Sequence, residues 1–259
     1  MSYAPLDPAV FADSPESQST WINLGLWTRG PRMPFEEACQ ELAVAVGSAT
    51  RLGDKDALVI DVGCGCGDSL DLWRRKFACS GKIYGVNVTE KECQAAREKV
   101  KGDADIEVIC EDGASFVRRA AAVASADVIV SGSQTLDSAT TQRPHLSKLL
   151  WNAPLHMLKL LFISASAGTP LVNLLYSKDI FDNEQSSFIE LHTRVKEIDA
   201  VDISHQVFAP FASHMWRKSI RAFWSRDFTR AASLVAVSLY MRWLGWCGAV
   251  EMVLYRWEI

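Results

Sequence analysis

The chain has 259 residues, of which 49% are hydrophobic and 22% charged, which excludes a disordered or low-complexity protein. It is long enough for one α/β domain with additions or for two small domains. With 31 acids against 27 bases the net charge is −4, and there is no long basic run, so bulk charge favours neither nucleic acid nor an anionic membrane as a partner.

The elements follow in chain order. Residues 1–20 hold Pro5, Pro8 and Pro15 and read as an irregular arm. The patch Trp21-Ile22-Asn23-Leu24-Gly25-Leu26-Trp27 carries two indoles outside any periodic element. Phe35, Cys39, Leu42 and Val46 recur at helical spacing behind Pro34, a first-turn proline. Residues 57–62 form a short apolar run ending at glycines, a buried strand. Asp68 and Ser69 are placed to cap a helix whose inner face is Leu70, Trp73 and Phe77. Residues 83–88 are a second strand, and Thr89-Glu90-Lys91-Glu92 has the form of a capping box for the next helix. Residues 106–110 are a third strand, 127–131 a fourth and 160–164 a fifth, the last after a helical stretch around 149–158. Beyond these, 195–203 and 249–257 read as strands, and 211–224 and 231–243 as helices.

This alternation predicts an α/β fold, a doubly wound and mostly parallel sheet with helices on both faces. The expected division is an N-terminal arm and cap over 1–50 and the main domain over 51–259, with acceptor-pocket elements in 135–245.

The seven cysteines are odd in number and fall inside elements and a glycine loop, the pattern of reduced thiols in a cytoplasmic protein. The N-terminus lacks a signal-peptide layout. The apolar stretch 231–241 is too short to span a bilayer and ends at Arg242, so no stable membrane insertion is expected.

The strongest chemical signal is strand, then Asp61-Val62-Gly63-Cys64-Gly65-Cys66-Gly67, then helix. Glycines at 63, 65 and 67 let backbone turn tightly against a ligand, and the following helix points its amides at an anionic group. A dinucleotide fingerprint needs its third glycine one place later, where Asp68 stands, and an acid there would repel a pyrophosphate. Asp61 is placed to accept a hydrogen bond from an ammonium, directly or through water. That pattern suits a methyl donor with a methionine tail.

Two further constellations fit a nucleoside. Asn87, with Val88 beside it, stands at the second strand's end, where an acid often grips ribose; the bland reading is a turn residue. Asp112 and Gly113 follow the third strand, where a carboxylate can meet an adenine amino group; Asp112 is equally suited to cap a helix. Cys64 and Cys66 lack further ligands at usable spacing, and the five histidines are scattered, so no metal is expected. Late aromatics such as Phe208, Trp216 and Trp243 read mainly as packing. With Trp21 and Trp27, some of them would also suit a lid over a sulfonium donor and an organic acceptor.

On these residues the chain resembles the class I S-adenosylmethionine-dependent methyltransferases, in particular their small-molecule and lipid-type branch. Asp61 to Gly67 matches the first motif, and the Asn87 and Asp112 regions resemble the second and third. Residues 20–27 and 35–42 look like the segment and helix that cover the donor in that branch, which brings in Trp27. Leu136-Asp137-Ser138-Ala139 with Arg143 weakly resembles the segment after strand four. The match is looser after about residue 165. Two positions depart from the pattern: Asn87 replaces the common acid, and Thr140-Thr141-Gln142 replaces the usual His-Phe.

The resemblance implies a Rossmann-like methyltransferase fold of seven strands, S-adenosyl-L-methionine as cofactor and a small-molecule acceptor. Donor-binding candidates are Asp61, Gly63, Cys64, Gly65, Gly67, Asn87, Val88, Asp112, Gly113 and Trp27. Asp137, His145 and His205 are the candidates for a base or acceptor anchor. No nucleic-acid partner is expected, and the sequence leaves a homodimer open. Two other readings stand beside a metabolite methyltransferase: a catalytically inactive binding or scaffold protein of the same fold, and a lipid or sterol methyltransferase working at a membrane surface.

Overall fold

A computed structural model describes residues 10–13, 19–50, 52, 58–113, 115–116, 119, 128–131, 196–247 and 252–258. After the arm come α1 (Phe35–Ala49), β1 (Val59–Val62), α2 (Asp68–Lys76), β2 (Ile83–Asn87), α3 (Glu90–Lys99), β3 (Ile106–Cys110) and β4 (Val128–Ser131). The chain then continues through β5 (Lys196–Asp202), α4 (Ser204–Trp224), α5 (Phe228–Cys247) and β6 (Val253–Glu258). The expected fifth strand at 160–164 and the helix around 149–158 lie outside the described residues.

β3, β2, β1 and β4 form a parallel sheet in that order, and β5 pairs antiparallel with β6. The order puts β2 and β3 on one side of β1 and β4 on the other. The order of strand addition therefore reverses at β1, and the crevice at the carboxyl ends of β1 and β4 is where open α/β sheets take their ligands. The loop Asp61–Gly67 leaves the end of β1, so the topology puts it at that crevice. In register, Asp61 stands beside Gly85 on β2 and Val130 on β4.

One apolar cluster holds the sheet's α1–α2 side, with Leu52, Val59, Leu70, Trp73 and Ile83 buried. A second joins the arm to the α4–α5 hairpin through Phe11, Trp27, Phe35, Phe211 and Met215. α4 starts seven residues before the expected helix because Pro210 sits inside it, at a position where sequence alone favours a break.

Both expected helix caps are corrected. α2 begins at Gly67, in the left-handed region, with no side-chain cap; Asp68 and Ser69 turn elsewhere. Thr89 precedes α3 without a side-chain cap bond, and Glu92 accepts from Asn87 instead of closing a box.

Candidate functional site

The loop is built from backbone. Gly63, Gly65 and Gly67 have φ of +79°, +52° and +85°. At Gly67 a side chain is excluded twice, by that φ and by a Cβ that would lie 3.0 Å from the Ala96 backbone of α3. The amides of Gly63 and Cys64 donate to the Val86 carbonyl at 2.8 and 3.2 Å, which ties the turn to the end of β2. With no side chain capping α2, its first amides and the positive end of its dipole face the loop.

Asp61 is buried, and its Oδ2 accepts a 2.7 Å hydrogen bond from Trp73 Nε1 on α2. Burial pushes its carboxyl above the ordinary carboxylate range, opposed by hydrogen bonds from Ser69 and Trp73. The acid therefore braces the strand end against α2. The sequence pattern places Trp73 on a packing face, and nothing in the spacing marks its indole as the acid's partner.

Asn87 Nδ2 donates to the buried Glu92 Oε2 at 2.7 Å. Asn87 thereby commits its amide nitrogen to a carboxylate. Val88 follows, exposed. Asp112 Oδ1 accepts from the Ser115 amide at 2.8 Å, so it does cap the turn after β3. Gly113 is required for close packing: a Cβ there would lie 2.4 Å from Val62 Cγ1. Glu111 makes a two-point pair with Arg119 at 2.6 and 2.8 Å.

Asp68 does not stand as a free acid. Lys99 Nζ meets its Oδ1 at 2.5 Å, and Thr20 donates to its other oxygen. Its charge is neutralised, so the case against a dinucleotide rests on the missing glycine and not on repulsion. The same contacts hold the arm over the loop, with Ile22 lying 3.6 Å from where a Gly65 Cβ would be. Trp27 lies deeper: it is buried, its Nε1 donates to the Leu24 carbonyl at 2.9 Å, and its ring packs on His214.

Cys64 and Cys66 are buried, and burial raises both thiols above their ordinary value. Among the described residues no group of three or more His, Cys, Asp or Glu is arranged to hold a metal ion. His205 is exposed at the second position of α4. Beside it, hydrogen bonds from Ser204 hold the Asp202 carboxyl below its ordinary range. Asp137 and His145 lie outside the described residues.

On α4, His214, Lys218 and Arg221 reach three consecutive carbonyls of the arm. His214 Nε2 is 2.9 Å from Phe11 O, Lys218 donates to Ala12 O, and Arg221 Nη1 donates to Asp13 O at 3.2 Å. Burial lowers His214 to about 4 and Lys218 to about 8. Asp13 in turn accepts from the Phe35 amide at 2.6 Å, at the start of α1.

A glycine turn and an uncapped helix at the switch of a parallel sheet define a Rossmann-like fold. Residues 59–151 match a family model described as a methyltransferase domain. Among solved structures, a protein assigned as a sarcosine dimethylglycine methyltransferase from Galdieria sulphuraria is 14% identical, with TM-score 0.57 over 91% of this chain and 92% of that one. A mycolic acid cyclopropane synthase complexed with SAH and CTAB is 12% identical, with TM-score 0.56 over 96% and 91%. A cyclopropane synthase from Mycobacterium tuberculosis is 14% identical, with TM-score 0.55 over 96% and 92%. No curated protein sequence matches the chain. The likeness to these structures, all under 25% identical, shows a shared Rossmann-like methyltransferase fold, and the methyltransferase-domain match lies over the part of the chain that holds the glycine loop.

Proposed function

We propose that this protein is an S-adenosylmethionine-dependent methyltransferase acting on a small apolar or aromatic acceptor. The observation that carries the reading is the Asp61–Gly67 turn at the sheet's switch point, followed by a helix with no side-chain cap. The residues present fit the donor: the left-handed glycines turn the backbone tightly after β1, and the first amides of α2 suit its carboxylate. Asp61 keeps the turn seated on α2 and adds negative charge beneath the donor's ammonium. Asn87 offers its free amide oxygen to a ribose hydroxyl, and Val88 an apolar edge to the base. Asp112 and Gly113 border the adenine position, and Trp27 and Ile22 back the cover.

When bound, the sulfonium supplies an already activated methyl group. The protein then has to align an acceptor lone pair and exclude water. The arm, clamped by Asp68 and Lys99, does the excluding. A hydroxyl or carbon acceptor also needs a proton taken, and His205 is the described residue proposed for it, with Asp137 and His145 as further candidates.

The experiment is incubation of purified protein and a metabolite extract with methyl-labelled donor. Labelled product is expected, and it should fall about 10²-fold or more in His205→Ala if that base is used. Donor binding with no product from any extract would favour a binding module of this fold instead.

A further inference from the structure

The tip of the α4–α5 hairpin carries large apolar side chains that the fold leaves in solvent. Trp216, Ile220 and Phe223 recur at helical spacing along α4, and Trp224 and Phe228 complete the tip; they are 44, 44, 54, 77 and 60% exposed. Phe223 holds the group together, with its ring edge-on to Trp224 at 5.9 Å and to Phe228 at 5.5 Å. A monomeric soluble surface rarely groups so many.

The charge here opposes that of the rest of the chain. Within residues 216–230 the exposed charged side chains are Arg221, Arg226 and Arg230 against the one acid Asp227, in a chain of net −4, while Arg217 and Lys218 are turned to the arm on the Pro31 and Ala12 carbonyls. The turn between the helices adds an independent sign. Its hydrogen bonds, from Asp227 N to Ala222 O and from Arg226 N to Phe223 O, both 3.0 Å, form a Schellman cap. That cap places its central residue in the left-handed region, where glycine is favoured, yet Arg226 stands there with φ +62°. The chain thus keeps an arginine, between Trp224 and Phe228 in sequence, on a strained backbone, and such strain concentrates at functional sites.

The geometry points to this tip as a docking surface for an anionic lipid membrane. Indole and phenyl rings at the hairpin's end enter the headgroup boundary while the exposed Arg221, Arg226 and Arg230 meet lipid phosphates. This goes beyond the methyl-transfer reading and does not depend on it. The contact is peripheral, since no helix among the described residues is long and apolar enough to cross a membrane.

Flotation of the full-length protein with vesicles is the test. Binding to vesicles containing phosphatidylglycerol is expected, with little to pure phosphatidylcholine and loss at high salt. Trp224→Ala with Phe228→Ala should weaken binding at least tenfold. Arg226→Gly separates docking from folding: it should raise the melting temperature, by relieving the left-handed arginine, yet weaken binding about fivefold, ~1 kcal/mol for one arginine near an anionic surface. Failure to float with anionic vesicles, equal binding to neutral ones, or unchanged binding of Arg226→Gly would overturn the proposal. So would a stable dimer that Phe228→Glu dissolves, because the tip would then be covered by a second copy.

Discussion

Around the loop Asp61–Gly67, the working groups are backbone amides, glycines in the left-handed region, and one buried acid braced by one indole. Around the α4–α5 hairpin, they are large rings and long basic side chains: three reach the carbonyls of the arm, and others crowd the exposed tip. The first region positions a ligand through main-chain geometry, which tolerates little change in any side chain beneath it. The second holds the arm through side chains and so responds to pH and charge. The arm is gripped by both, through Thr20 on Asp68 and Phe11 on α4.

The contrast can be broken by mutation, most sharply at Trp73. Trp73→Ala removes a fully buried ring and strips the indole donor from Asp61, and should cost about 3–5 kcal/mol in denaturant unfolding. A loss below about 1 kcal/mol would show that the acid is not braced as described.

The hairpin clamp is sharpened by pH. His214 is lowered from 6.5 to about 4, so the folded protein binds fewer protons than the unfolded chain between those values. Stability should therefore fall as pH drops from about 6.5 to about 4, by an amount on the order of 3 kcal/mol. Lys218, lowered to about 8, acts in the alkaline window: stability should rise with pH from about 8 towards 10.5. Melting curves against pH check both, and His214→Gln should flatten the acid limb; an unchanged limb would assign it to other groups.

At the loop, Asp61→Ala should weaken donor binding by roughly 1–3 kcal/mol in equilibrium dialysis, provided the variant is folded. Lys99→Met has the smallest expected effect, about 0.5–1 kcal/mol in stability, for a partly exposed pair. It should also make the arm near Thr20 more open to limited proteolysis.

The strands of the sheet were legible because buried parallel strands are apolar runs between turn residues, and β3 lies where 106–110 was expected. Element ends were less so, since Pro210 looks like a break yet lies inside α4, between the buried Phe208 and Phe211. The glycine loop was legible because its constraint is on the backbone, which glycines report directly. The Asp61–Trp73 and Asn87–Glu92 bonds were not. Each joins residues whose side chains meet only once the helix is laid on the sheet, and local cap rules pointed Asp68 and Glu92 the wrong way. The histidine that matters to the arm, His214, carries no sign in the sequence that sets it apart from the other four histidines. Its role comes from Phe11, 203 positions away.

Calorimetric titration of the wild-type protein with S-adenosylhomocysteine and, in parallel, with NAD tests most directly whether this loop holds a methyl donor. Saturable one-site binding of the thioether nucleoside is expected, with none for the dinucleotide. No heat with the first, or tighter binding of the second, would contradict it.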